Sequence, residues 1–472
     1  MMEVIKKQKN HNFYLFTFQN KYFYYDFTQN LILQVTKKLF TIIDKYIEEQ
    51  CLAQDELVYI ESLQKNGLLQ QMLQTEMVND DIISDVAYLS FAPTYSCNFK
   101  CSYCFGECGN YFKGEKKSFS HESLKNMLDC FFNKIFPDAK HYRIDFVSGG
   151  EPLLGYPIIK KTIDYCEKFE AKTGKRVSIW MCTNASLLTD DIIEFLSYHS
   201  VSIGISIDGD KSTNDINRKF ADGRGTYDEI VKGINLIKNN KKVGRKFKSI
   251  WGLCTATNEN CDFVKILTHL RSLGFESVQI RLIRSCEQYE IEKITNEYER
   301  LSQFLLSTYS NGDLSFLRMI LNDNDQFGKI LKRIILGNTI RKRCDAGVNK
   351  ITICPDGTMY PCDSLVGISE CLIGTLENPV LKNEFFKETT VDTIPKCKDC
   401  DIRYLCGGDC YYNSLKKSND ILIPDNEYCK LQRFLLHLSL VLFMDLQLAN
   451  EKLLKTLTKE IIIKEGYHEL YG

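Results

Sequence analysis

Apolar and polar residues follow two alternating periods through the middle of the chain. Short apolar runs predict strands, and the segments between them carry apolar residues at helical intervals. The six predicted strands span residues 88–92, 143–147, 177–182, 201–207, 247–255 and 278–283. Because each connection is long enough to hold a helix, this order predicts an α/β fold with a parallel sheet, curved as a partial (β/α)6 barrel. Functional side chains in such folds lie at the carboxyl ends of the strands.

The N-terminal segment has a different pattern, with aromatic runs at 13–18 and 22–27 on either side of a polar turn. These runs predict a β-hairpin, and apolar residues at helical intervals predict helices over 31–52 and 66–77. We interpret this segment as a small winged-helix-like α+β module; an extension packed on the main domain is the alternative. The predicted domains are 1–85 (N-terminal module), 86–290 (partial barrel), 291–343 (helical bridge), 344–432 (cysteine-rich domain) and 433–472 (helical tail).

Composition narrows the function classes. The net charge of −1 argues against a nucleic-acid partner, which would require a clear excess of lysine and arginine. We find no apolar run of roughly 18 residues and no apolar signal segment at the start, so we expect a cytoplasmic protein that does not bind a membrane. In a cytoplasmic protein the 20 cysteines favour metal ligation over disulfides.

Three of these cysteines follow the first predicted strand at close spacing, as Cys97-x-x-x-Cys101-x-x-Cys104. A [4Fe–4S] cluster normally takes four cysteines, so three would leave one iron open to a substrate or cofactor. A zinc site is the alternative, and Cys108 is then the candidate for its fourth ligand.

The spacing of these cysteines resembles the signature of the radical S-adenosylmethionine (SAM) family, and further segments at later strand ends agree with it. Gly149-Gly150-Glu151-Pro152 resembles the segment that binds the amino group of SAM, and the region from Ser206 to Arg218 resembles the one that holds its polar ends. The resemblance implies SAM, one SAM-binding [4Fe–4S] cluster and a 5′-deoxyadenosyl radical that abstracts a hydrogen atom. The cofactor-binding residues it implies are Tyr103, Gly149, Gly150, Glu151, Ser206 and Arg218.

A second group of cysteines resembles the SPASM domain of radical SAM enzymes that modify peptides and proteins. Its members are Cys344, Cys362, Cys397, Cys400, Cys406, Cys410 and Cys429. The resemblance implies two auxiliary [4Fe–4S] clusters, one on Cys397, Cys400, Cys406 and Cys429 and the other on Cys344, Cys362 and Cys410. The fourth ligand of the latter stays open between Cys354, Cys371, Cys286 and a substrate thiolate. A zinc ribbon built on Cys397 and Cys400 is the alternative.

Asp363 directly follows the predicted ligand Cys362. The resemblance to anaerobic sulfatase maturases implies that an aspartate at this place takes a proton from the substrate. A residue that only holds the cluster loop by hydrogen bonds is the alternative.

The barrel, the SPASM pattern and the N-terminal module together resemble maturases of ribosomally made peptides. We therefore predict an enzyme that forms a thioether between a cysteine sulfur and a carbon of a precursor peptide. The predicted partners are the leader sequence of that peptide, bound as an added strand by the hairpin at 13–27, and an external one-electron donor, flavodoxin or ferredoxin. The first alternative is an anaerobic sulfatase-type maturase that makes formylglycine from Ser or Cys; a non-catalytic iron–sulfur scaffold or electron carrier is the second.

Overall fold

The computed structural model describes most of the chain. The described residues are 3–6, 13–26, 30–47, 50–65, 85–107, 112, 118–147, 149–240, 247, 249–284 and 290–471. They form two compact units, each built from separate stretches of sequence. One, the meander unit, comprises Met1–Ile82, Ile330–Arg343 and Thr389–Leu454, and the other, the parallel-sheet unit, comprises Ile83–Lys329, Cys344–Glu388 and Lys455–Gly472.

The meander unit begins with an antiparallel sheet followed by two helices. Its N-terminal elements are β1 (Glu3–Lys6), β2 (Phe13–Phe18), β3 (Lys21–Asp26), β4 (Leu31–Val35), α1 (Lys37–Ile47) and α2 (Gln54–Lys65). The predicted hairpin is confirmed as β2 and β3, joined at Gln19 and Asn20, which both have positive φ as a type I′ turn requires. The helix predicted from residue 31 begins only at Lys37, because β4 pairs with β3 instead. The helix predicted at 66–77 lies outside the described residues, and the winged-helix resemblance stays a prediction.

The parallel-sheet unit contains the predicted alternation of strands and helices. Its six parallel strands, hydrogen-bonded in chain order, are β5 (Val86–Phe91), β6 (His141–Phe146), β7 (Arg176–Thr183), β8 (Ser202–Ser206), β9 (Ile250–Ala256) and β10 (Val278–Leu282). The helices between and after them are α3 (His121–Cys130), α4 (Tyr156–Thr173), α5 (Asp190–Tyr198), α6 (Lys211–Asn217), α7 (Tyr227–Asn239), α8 (Phe263–Ser272), α9 (Ile291–Ser310) and α10 (Ser315–Ile320). Helix α11 (Gly328–Leu336) begins in this unit and belongs to the meander unit from Ile330 onward. The α/β prediction is confirmed for the parallel sheet, and closure into a partial barrel stays a prediction.

Three short strands extend this sheet beyond what the sequence predicted. They are β11 (Lys350–Ile353), β12 (Thr358–Tyr360) and β13 (Gly374–Thr375). β11 pairs parallel with β5, and β12 and β13 follow it antiparallel. Part of the predicted cysteine-rich domain, 344–388, therefore continues the parallel sheet, and from residue 389 onward it belongs to the meander unit.

The remaining helices are mostly short. They are α12 (Glu384–Glu388), α13 (Arg403–Cys406), α14 (Tyr411–Ser418) and α15 (Asn426–Tyr471). α15 is interrupted at Asn450, whose backbone is not helical. Its stretch Asn426–Lys464 is long and apolar enough to cross a membrane by length and composition, but half of its most apolar window is buried inside the protein.

The two faces of the parallel sheet differ in chemistry. On β6, Tyr142, Ile144 and Phe146 are fully buried, and Tyr142 packs edge-on against Phe131 and Phe132. The alternate residues lie on the other face, because side chains alternate along a strand. We call it the polar face and define it by Tyr88, Ser90, Arg143, Asp145, Trp180, Cys182, Arg281, Lys350 and Thr352, which the strand register places on one side.

Candidate active site

The predicted cluster ligands lie on a loop, Cys97–Cys104, that follows β5 and is held by the backbone of a distant segment. Lys100 N donates to the carbonyl oxygen of Lys219 at 2.7 Å, and Ser102 N donates to that of Asn217 at 3.0 Å. The Ser102 hydroxyl also donates to the Asn217 side chain at 2.6 Å. The loop is therefore fixed to the segment after α6, which also carries Arg218.

Asp208 is the centre of the hydrogen bonds beneath this loop. Its carboxylate is fully buried and accepts from the Tyr103 hydroxyl at 2.6 Å, the Arg218 guanidinium at 3.1 Å and the backbone N–H of Thr255 at 2.9 Å. The guanidinium carbon of Arg218 lies 5.4 Å from the Tyr103 ring centroid. Tyr103 and Arg218 were predicted to bind SAM, and the structure gives both an ordering role through Asp208. Sequence reasoning did not assign Asp208 a role, although its position just after β8 was a signal.

Gly149 and Gly150 let the end of β6 approach the residues that precede Cys97. Gly150 N donates to the carbonyl oxygen of Thr94 at 3.2 Å, and Glu151 N donates to that of Ser96 at 2.9 Å. A Cβ atom at Gly150 would lie 1.8 Å from the Ser96 oxygen, and Gly149 has a φ of +83°. Only glycine fits at both positions, so the pair sets the position of the cysteine loop.

The Glu151 carboxylate joins the ends of two neighbouring strands. It is 3% exposed and accepts from the Thr183 hydroxyl at 2.6 Å, from Asn184 N at 2.7 Å and from Leu153 N at 3.1 Å. Burial raises the pKa of Glu151 to about 7, and the three donors oppose that shift. The side chain proposed from sequence to bind SAM thus orders the loop between β6 and β7. Ser206, another predicted SAM contact, is partly exposed at the end of β8.

The three thiols of the cysteine loop lie close enough to interact electrostatically. Burial raises the pKa of Cys101 to about 12, Arg218 opposes the rise, and Cys104 and Cys97 add to it. In the described residues no group of three Cys, His, Asp or Glu side chains forms a ready-made site for a single metal ion. The residues present fit a [4Fe–4S] cluster, because three cysteines stand on one anchored loop and the charges of Cys97 and Cys104 both act on the Cys101 thiol.

Four of the predicted auxiliary ligands, Cys397, Cys400, Cys406 and Cys429, belong to the meander unit. Burial raises the pKa of Cys397 to about 12, and Cys406, Cys400 and Cys429 raise it further through their charges. The other predicted set is distributed differently. Cys344 and Cys362 belong to the parallel-sheet unit, and Cys410 belongs to the meander unit. Both ligand assignments stay predictions.

The candidates for the missing fourth ligand also differ in their surroundings. Cys354 is fully buried with its sulfur 3.5 Å from the Tyr95 hydroxyl, and Cys371 is 4% exposed. Both are packed as apolar side chains, as free cysteine commonly is. Cys286 and Cys108 lie outside the described residues.

Asp363 lies beside the polar face, because the hairpin of β11 and β12 returns the chain to it. The Lys350 ammonium is 3.8 Å from the Asp363 carboxylate. Asp363 also acts electrostatically on Cys182, which lies on β7 across the sheet. The sequence identified Asp363 as a candidate base but could not indicate these neighbours, since the pairing of β11 with β5 was not predicted.

Comparison with known proteins agrees with the resemblance carried by the cysteine loop. Residues 91–276 match the model of the Radical SAM superfamily. A cysteine-type anaerobic sulfatase-maturating enzyme of Clostridium novyi is 26% identical over 67% of this chain and 86% of its own length. A serine-type anaerobic sulfatase-maturating enzyme of Bacteroides thetaiotaomicron is 25% identical over 71% of this chain and 84% of its own length. The structure of native anSMEcpe with bound AdoMet and Cp18Cys peptide has a TM-score of 0.60 and 22% identity, covering 78% of this chain and 99% of that one.

These similarities correct one prediction. The prediction of a thioether-forming peptide maturase is wrong, because the curated relatives include cysteine-type and serine-type sulfatase-maturating enzymes, which favour the first alternative instead. The N-terminal pattern misled the interpretation, since an extra module in front of the sheet does not determine the reaction. SAM and a [4Fe–4S] cluster are implied by the family match. Residues 91–276, which contain the anchored cysteine loop and strands β6 to β9, therefore match the Radical SAM superfamily.

Proposed function

We propose that this protein is an anaerobic sulfatase-type maturase, which oxidises a Cys or Ser side chain of a protein substrate to formylglycine. The observation that carries the proposal is the position of Asp363 on the polar face, within electrostatic range of Cys182 and Lys350. The similarity to cysteine-type and serine-type sulfatase-maturating enzymes supports it.

The chemistry determines what the chain must supply. Conversion of a cysteine side chain to an aldehyde removes two electrons and two protons, and water then replaces the sulfur, which leaves as hydrogen sulfide. When bound, the [4Fe–4S] cluster and SAM supply abstraction of a hydrogen atom, which is one proton and one electron. The second proton requires a base, and the second electron requires an acceptor.

Asp363 is the proposed base. Its carboxylate lies next to a predicted cluster ligand and beside the Lys350 ammonium, which stabilises the anionic form that can accept a proton. The auxiliary clusters predicted on Cys397, Cys400, Cys406, Cys429 and on Cys344, Cys362, Cys410 are the proposed acceptors of the electron. The external donor, flavodoxin or ferredoxin, the cytoplasmic location and the leader-binding role of 1–85 stay predictions.

The residues around the cysteine loop hold one another in place through buried contacts. Asp208 fixes Tyr103 and Arg218 beneath the loop, and the glycine pair fixes its entry. Such preorganisation positions a cofactor without a structural change at the moment of reaction.

The test uses anaerobically reconstituted protein, SAM, a chemical reductant and synthetic sulfatase peptides that contain Cys or Ser at the modified position. We expect 5′-deoxyadenosine and a peptide aldehyde, detected by mass spectrometry after hydrazide capture. Asp363→Asn should still cleave SAM but form aldehyde about 100-fold more slowly, as expected for loss of a general base. Asp356→Asn, an exposed aspartate in the turn before β12, is the matched control and should behave as wild type. SAM cleavage without aldehyde from any peptide would refute the proposed reaction.

A further inference from the structure

Arg281 on β10 is a cation of the polar face without a charged partner. Its Nε donates to the carbonyl oxygen of Asn324 at 3.1 Å, and its Nη2 donates to the Gln279 side chain at 2.8 Å. Both acceptors are neutral. Among the described residues no carboxylate lies within 4.0 Å of the Arg281 guanidinium, and Asp325, which follows Asn324, has its carboxylate occupied by backbone N–H groups.

Two other cations of this face are matched. Arg143 Nε lies 2.6 Å from Asp145, and the Lys350 ammonium lies 3.8 Å from Asp363. Of these three cations, Arg281 alone has no described carboxylate within 4.0 Å, and the charge of Asp363 acts on it from a longer distance.

Arg284 adds a second guanidinium to the same neighbourhood. It donates to the Ser364 hydroxyl and lies 5.5 Å from the Phe105 ring centroid, next to the cysteine loop. Burial and the charge of Arg284 together lower the pKa of Arg281 to about 10. Two like charges in one neighbourhood repel each other, and an anion bound at Arg281 would reduce that repulsion.

The polar face also contains hydroxyl groups without partners. Ser90 and Thr352 are at least nine-tenths buried, and neither hydroxyl has a hydrogen-bond partner in the part of the chain that the structure describes. The strand register places them side by side, with Asp145 next to Ser90. Buried polar groups in this number are expected where water or a polar ligand enters.

We propose that Arg281 binds a carboxylate of the substrate, the side chain of an Asp or Glu close to the residue that is modified. This inference rests on the proposed function and names a feature of its substrate. A guanidinium binds a carboxylate through two parallel hydrogen bonds, which fixes orientation as well as charge. The methionine carboxylate of SAM has the same chemistry and is the other possible source. The substrate is favoured because Arg281 lies within electrostatic range of Asp363, the proposed base, and of Cys182.

The test uses fluorescein-labelled nine-residue peptides with a central Cys in an alanine background. A single Asp is placed at each other position in turn, with Asn at the same position as its partner. Binding to reconstituted protein is measured by fluorescence anisotropy, without reductant so that no turnover occurs. The variants are Arg281→Met, Arg281→Lys and the control Arg300→Met, an exposed arginine of α9 paired with Glu297.

We expect the wild type and Arg300→Met to bind one Asp peptide about tenfold more tightly than its Asn partner. Arg281→Met should lose this preference, and Arg281→Lys should retain part of it. All variants should keep the wild-type thermal midpoint and affinity for SAM, measured by equilibrium dialysis. Equal binding of every Asp and Asn pair by the wild type, including no binding of either, overturns the proposal. A tenfold loss of SAM affinity in Arg281→Met with the peptide preference intact assigns the carboxylate to SAM and overturns it as well.

The result is independent of the proposed reaction. An Asp preference that depends on Arg281, found in a protein that forms no aldehyde, would leave the carboxylate site standing and refute formylglycine synthesis. Aldehyde formation without any Asp preference would support formylglycine synthesis and refute the carboxylate site at Arg281.

Discussion

The two cysteine-bearing regions are built in different ways. The loop Cys97–Cys104 follows strand β5, and its anchors stand at the ends of other strands of the same sheet: the Asp208 carboxylate accepts from Tyr103, and Glu151 N donates to Ser96. In the meander unit, Cys397 and Cys400 lie in turns, Cys406 ends the short helix α13, and Cys429 lies in the first turn of the long helix α15. A strand from the far N-terminus contacts the segment that carries Cys400. The Tyr14 hydroxyl donates to Asp401, which lies next to Cys400.

This difference in construction indicates how each region positions its cysteine side chains. Around the cysteine loop the parallel sheet supplies a frame, and buried carboxylates fasten the loops to it. In the meander unit the frame is assembled from distant segments: Arg433 of α15 donates to both Asp401 at 2.5 Å and the Cys400 sulfur at 3.3 Å. In proteins that hold a metal group, hydrogen bonds of this kind to the ligand residues orient those residues.

The largest expected effect comes from disturbing the close approach of Gly150 to the backbone before Cys97. Gly150→Ala places a Cβ atom 1.8 Å from the Ser96 oxygen, so the backbone before Cys97 must move. We expect loss of about four irons per chain and of SAM binding, measured by iron analysis and equilibrium dialysis. Gly174→Ala is the matched control, since its φ of +73° adds strain but no neighbour lies within 4 Å. Full iron content in Gly150→Ala would show that the glycine pair does not position the loop.

The sequence predicts the parallel sheet around the cysteine loop better than it predicts the contacts of the meander unit. The strands β5 to β10 follow the apolar runs closely, and motifs that end those strands locate the cysteine loop. Asp208 and Glu151 stood in these motifs, but which side chain contacts which depends on strand register, and local pattern does not determine that.

The sequence could not predict the contribution of remote segments. β11 is only four residues long, and its pairing with β5 brings Lys350 to the polar face across more than 250 residues of chain. The contact of Tyr14 with Asp401 spans 387 residues. Neither leaves a periodic signal, because periodicity reports the local environment of an element and not the identity of its partners.

The next effect is on the buried carboxylate that joins β6 and β7. The folded-state pKa of Glu151, about 7, exceeds its ordinary value of 4.5. Its stabilising contribution is therefore complete below pH 4.5 and is lost as the pH rises through 7. Glu151→Gln does not titrate, so the stability advantage of the wild type should shrink by about 2–3 kcal/mol between pH 5 and 8. Urea unfolding of the metal-free protein measures this, with the exposed Glu299→Gln as control; a gap independent of pH would contradict the burial argument.

The smallest expected effect comes from removing the hydrogen bond between the N-terminal sheet and the cysteine segment of the meander unit. Tyr14→Phe removes the hydroxyl that donates to Asp401, and loss of a hydrogen bond to a charged, buried acceptor costs about 2 kcal/mol. Metal-free protein should unfold at lower urea, and Cys400 should become more reactive to iodoacetamide, because Asp401 and Arg433 hold it less firmly. Tyr22→Phe on the neighbouring strand is the control, since its ring packs on Phe40 and its hydroxyl has no described partner. If both variants match the wild type in urea midpoint and in Cys400 reactivity, the N-terminal sheet contacts the cysteine segment without stabilising it. The meander unit would then not depend on its remote N-terminal strand to position Cys400.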